Sequence, residues 1–184
     1  MEKPRMLIGN ALAGFLDAGM GAFIAAATLW ALGTEPALWH LPAGAALALL
    51  PDFDILPAIL RMREVTGNHR ATLLHRPLLI IPAAALAAFA LGGLAWGAAA
   101  FLCVLWHFAH DTPPLSQGGI AWLWPFDSRY WSLKGPAAPH APTLSHRAWI
   151  EKHWLALSPL LLIELGAGVA ALALAFLIAS RPIP

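Results

Sequence analysis

From Pro77 to His110 the chain carries no Asp, Glu, Lys or Arg. A membrane-crossing helix needs about 20 predominantly apolar residues. A run of more than 30 such positions is too long for one crossing, and Gly92-Gly93 offers a break near its middle. The run therefore reads as two helices, near 77–92 and 94–110. Residues 6–33 form another apolar run, interrupted only by Asn10 and Asp17. Residues 37–50 form a shorter one that ends at Pro51, and residues 154–180 form the last, with Ser158-Pro159 and Glu164 inside it. The first five residues are basic, but the run after them far exceeds the about 7–15 apolar residues of a cleavable signal, so it reads as an uncleaved anchor. The expected architecture is all-α: a polytopic helical membrane protein with about five membrane helices, two of them short. It forms a single integral membrane domain over 1–184.

Composition points the same way. Hydrophobic residues make up 59% and charged residues 11%, against roughly 45–50% and about 25% in soluble domains. So apolar a chain is not disordered. A net charge of +1 supplies no basic face for nucleic acid, and one cysteine, Cys103, supplies no disulfide framework. Basic residues orient the spans. Segments 1–5, 51–76 and 111–153 hold Lys3, Arg5, Arg61, Arg63, Arg70, Arg76, Arg129, Lys134, Arg147 and Lys152, leaving only Arg181 outside them. This asymmetry places the N-terminus in the cytoplasm and both polar loops on the same side.

Three short stretches carry the chemistry. Pro51-Asp52-Phe53-Asp54 follows the second apolar run and reads either as a solvated helix stop or as two hard oxygen ligands for one cation. The stretch from Asn68 to Arg76 brings His69, Arg70, His75 and Arg76 to the start of the third helix. It reads either as a positive-inside loop or as imidazole ligands beside guanidinium forks for an anion. Trp106-His107-Phe108-Ala109-His110-Asp111 ends the fourth helix, where His107 and Asp111 share a helical face at i, i+4. That pair either caps the helix end or chelates a metal, with His110 on its flank as a further ligand or outer group. The topology brings all three stretches to one membrane face. A mixed carboxylate–imidazole set fits one or two divalent cations, Zn or Mn, rather than a thiolate structural site. A metal with an open position generates a hydroxide nucleophile.

These residues resemble the YdjM-like family, whose members are described as inner-membrane-associated, LexA-binding, metal-dependent hydrolases. The resemblance rests on Leu50-Pro51-Asp52-Phe53-Asp54, then Arg70 to His75, then His107 to Asp111, then Gly118-Gly119 and Trp124-Pro125-Phe126, in that order over residues 40–130. It implies a metal role for Asp52, Asp54, His75, His107 and Asp111, with Arg70 as their basic partner. It also implies a cytoplasmic protein partner. The middle motif departs from the family's R-G-x-T-H-S, and an early His in the first helix is absent, with Asn10 the nearest polar residue.

Residues 112–153 are rich in Pro and Trp, and 121–131 is expected to lie in the membrane interface over the metal layer. Asp127 reads as a turn residue, and Asp17 and Glu164 as groups packed against polar partners on other helices. The resulting expectation is a hydrolase at the cytoplasmic face, acting on an ester or phosphoester, with a lipid or other amphiphile as the natural substrate. Asp52, Asp54, His75, His107 and Asp111 bind metal, Arg70 and Arg76 hold the substrate anion, and His69 or His110 shuttles protons. Two alternatives use the same cluster: an ion or metal transporter, tested by counter-transport in vesicles, and a non-enzymatic membrane adaptor, tested by metal content.

Overall fold

The computed structural model describes residues 3–57, 69–113, 119–133, 135–137, 146–156 and 158–181. Arg61, Arg63, Asn68, Gly118 and Lys134, all named above, lie outside the described residues, as does the side chain of His69. The chain is mostly helical: α1 (Lys3–Ala13), α2 (Phe15–Ala31), α3 (His40–Ala48), α4 (Pro77–Asp111), α5 (His146–His153) and α6 (Pro159–Ala179). Short 3₁₀ turns occupy Leu50–Asp54, His69–Ala71 and Leu73–His75. Among the described residues, three stretches are long and apolar enough to cross a membrane: Pro4–Ala31, Pro77–Asp111 and Pro159–Ala179.

A straight helix over Pro77–Asp111 would be about 50 Å long, against a hydrocarbon core of about 30 Å. It is not straight. Gly93 has φ 74° and ψ −166°, a conformation open to glycine and strained for residues with a Cβ. The two arms fold back on each other there. A Cβ on Gly97 would lie 2.9 Å from Phe89 Cβ and 3.2 Å from the Ala85 oxygen, and Ile81 shares a core cluster with Val104 and Phe108. In a straight helix those partners would be about 12 to 40 Å apart. The hairpin thus returns Asp111 to the end where Pro77 begins.

Helix α2 packs against α3, α4 and α6. Its contacts depend on missing side chains. A Cβ on Gly21 would collide with the Gly44 backbone oxygen, and one on Gly19 would lie 2.5 Å from that of Gly168. In an apolar bundle, where lipid competes on equal terms, such close backbone approach is the main source of packing energy. Helix α6 begins later than the apolar run does. Ser158 is extended, as the residue before a proline prefers, and its Oγ accepts the Leu161 N–H at 3.2 Å. Ser158-Pro159 therefore starts the helix rather than interrupting it.

The mostly helical fold also carries one small β element. Tyr130–Ser132 and Gly135–Ala137 form a two-stranded antiparallel ribbon, with Ile120 bridged to Trp131. Aromatic residues favour strands, and Gly135, at φ 97°, follows the turn. This ribbon segment packs onto the α4 hairpin. Ile120 joins Ile81, Val104 and Phe108 in the core, and Trp122 Nε1 donates to Thr112 Oγ1 at 2.9 Å. Asp127 is a turn residue, accepting from the backbone and guanidinium of Arg129, which hold its carboxyl below the ordinary carboxylate value.

Candidate metal centre

Three chain ends meet beside the ribbon. The 3₁₀ turn after α3 supplies Asp52, the turn before α4 supplies His75, and the last turn of α4 supplies His107 and Asp111. Asp52 Oδ1 lies 3.4 Å from His75 Nε2 and 3.8 Å from His107 Nε2, and Asp111 Oδ2 lies 4.0 Å and 3.8 Å from the same two atoms. Two nitrogens and two oxygens thus alternate around a quadrilateral. With metal–ligand distances of about 2.0–2.2 Å, neighbouring ligands of one cation stand about 3–4 Å apart. One ligand atom each from Asp52, His75 and His107 fits within 4.8 Å of the others.

The surroundings favour a cation. His75 and His107 are 0% and 1% exposed. Neither ring nitrogen of His107 has a hydrogen-bond partner among the described residues, and a buried imidazole left in that state is costly. Burial alone would lower the pKa of His75, but the carboxylates of Asp52 and Asp54 and the charge of Asp111 outweigh it and raise it to about 9. The pocket therefore already attracts positive charge onto His75.

The remaining sequence candidates are placed differently. Asp54, expected among the ligands, stands on the opposite side of the His75 ring. Its Oδ2 is 3.6 Å from Nδ1 and accepts from Thr72 Oγ1 at 2.7 Å. The cause is the 3₁₀ geometry: at three residues per turn, side chains two apart do not share a face. Arg70 is buried and committed to Asp111, donating to Oδ1 at 2.7 Å and to the backbone oxygen at 3.3 Å. Arg76 donates to the Ala71 oxygen at 2.7 Å and lies over the rings of Trp124 and Tyr130, so it anchors the ribbon segment to the turn. His110 faces away from the quadrilateral, between Asp17 and Glu164.

One residue near the centre was not among the sequence candidates for it. Asp17 of α2 places Oδ2 3.6 Å from His107 Nδ1. An ionisable residue inside an apolar span was the signal, since such groups are expensive there.

A helical membrane protein with a buried histidine–carboxylate centre at one end of its bundle is the class these features define. The chain belongs to the YdjM inner membrane protein family, whose profile matches residues 13–182. Comparisons with curated proteins and with solved structures return no match.

Proposed function

We propose that the chain is a multi-pass inner-membrane metal-dependent hydrolase. Its N-terminus is cytoplasmic, its hairpin arms cross as separate spans, and its centre faces the cytoplasm. The observation that carries the metal reading is the quadrilateral of buried His75 and His107 with partly exposed Asp52 and Asp111, with side lengths of 3.4–4.0 Å. The described residues supply one such set, which suits a single Zn or Mn ion. A divalent cation held there supplies Lewis acidity toward an ester or phosphoester oxygen and toward water.

The chain's own residues fix the geometry around it. Asp54, held by Thr72, backs His75 from its Nδ1 side. Arg70 fixes Asp111 and leaves one of its oxygens for the centre. His69, in the turn beside Arg70, is the proposed proton carrier, because His110 is held between Asp17 and Glu164. The ribbon segment, anchored through Trp122 and Arg76, flanks the centre. A centre at the end of a membrane bundle suits a lipid or other amphiphilic substrate, and a cytoplasmic protein partner would meet the same loops. The test is turnover of a short-chain phospholipid and of a chromogenic phosphodiester by detergent-purified protein loaded with Zn or Mn. The expected result is metal-dependent hydrolysis that His107→Ala abolishes. Equal rates for wild type and His107→Ala would overturn the hydrolase reading.

A further inference from the structure

We propose that Asp17 is a positioning residue, one that sets the ring of His107 so that Nε2 points at Asp52 and Asp111. The proposal rests on the reading of that cluster as a cation site. Asp17, in the first turn of α2, is 5% exposed among apolar helices, a place where a carboxylate persists only with strong partners. Its partners all come from one side of α4. Oδ1 accepts from Trp106 Nε1 at 2.9 Å and meets His110 Nδ1 at 3.1 Å. Oδ2 is 3.3 Å from His110 Nδ1 and 3.6 Å from His107 Nδ1.

The two nitrogens of His107 therefore divide their surroundings. Nε2 faces Asp52 and Asp111, and Nδ1 faces Asp17. A carboxylate behind a ligating histidine fixes ring orientation and tautomer and raises the basicity of the ligating nitrogen. The 3.6 Å separation becomes a hydrogen bond with a shift of about 0.5 Å. Asp17 itself is locked. Trp106 stacks on His110 with ring centroids 5.8 Å apart, and Glu164 of α6 meets His110 Nε2 at 3.6 Å from the far side. Helices α2, α4 and α6 thus all bear on one ligand. An asparagine could not replace Asp17, since it offers a single acceptor oxygen where both oxygens are engaged.

The experiment uses the full chain in detergent, with Co²⁺ as a spectroscopic probe and Zn²⁺ in competition. Wild type is expected to bind Co²⁺ with a visible ligand-field band. Asp17→Asn should raise the Kd about 10–100-fold and shift that band. Trp106→Phe, which keeps the carboxylate, should stay within about threefold of wild type. If Asp17→Asn does not fold, Asp17→Glu is read instead, and a shifted band is expected from the displaced carboxylate. Wild type that binds neither ion overturns the cation site and this inference together. Wild type that binds, with an unchanged Kd and band in Asp17→Asn or an unchanged band in Asp17→Glu, overturns the positioning role alone. So does a Trp106→Phe loss as large as that of Asp17→Asn, which would reveal a packing effect.

Discussion

Asp111 divides its two oxygens between opposite tasks. One is bound by Arg70 at 2.7 Å and the other faces both imidazoles. Removing Arg70 takes the short ion pair from Asp111 and leaves it only the longer contacts to the imidazoles, a loss approaching the about 3–5 kcal/mol of buried pairs. A cation in the centre would restore that compensation. Arg70→Ala should therefore lower the melting temperature of metal-free protein strongly and that of metal-loaded protein much less, as thermal melts with and without Zn would show. His75 makes a second prediction. Its pKa, raised to about 9, means that a metal must displace a proton from it at neutral pH. The apparent Kd for Zn should fall as pH rises from 6.5 to 8.5, approaching tenfold per unit. The sign for metal-free stability is opposite. A raised folded pKa contributes fully below the unfolded value near 6.5 and is lost as pH passes through 9. Metal-free protein should accordingly melt lower at pH 9.5 than at pH 6.5.

The α4 hairpin carries His107 and Asp111 back to the turn that holds His75, and Gly93 makes that return possible. Gly93→Val forces a β-branched residue into φ 74° and should destabilise the fold by a few kcal/mol. Gly21→Val should be worse, because its side chain meets the Gly44 backbone of α3. It pushes α2, which carries Asp17, away from α3, which leads into the turn that carries Asp52, so metal affinity and melting temperature should drop together in titrations and melts. Much of this arrangement was legible in the chain. The charge-free run with Gly92-Gly93 inside it implied a fold-back, and the i, i+4 spacing implied that His107 and Asp111 share a face. What was hidden depended on turn type and on distant partners. Nothing in Pro51-Asp52-Phe53-Asp54 announces a 3₁₀ turn, so Asp54 could not be separated from Asp52. Nor does local spacing reveal that Asp17 meets His110 and that Glu164 meets it from the other side. The ribbon at Tyr130–Ser132 escaped because it is three residues long, too short for an alternating pattern to stand out.

At the scale of the whole molecule, the centre and the ribbon segment, joined through Arg76, gather at one end of the α4 hairpin. Trp39, His40 and Trp96 stack at the other, beside the Gly93 bend. The proposed orientation predicts opposite labelling at the two ends. Cys103 is buried, so single cysteines introduced by Arg129→Cys and Arg181→Cys can be read separately. A membrane-impermeant thiol reagent should label Arg181→Cys in intact cells and Arg129→Cys only after permeabilisation; the reverse pattern would invert the topology. The central claim, that Asp52, His75, His107 and Asp111 form a cation site, is tested most directly by elemental analysis of detergent-purified protein alongside its His107→Ala variant. The account predicts about one Zn or Mn per wild-type chain and little or none in the variant. Wild-type protein that stays metal-free when supplied with Zn and Mn, or a variant that retains the wild-type content, would contradict it.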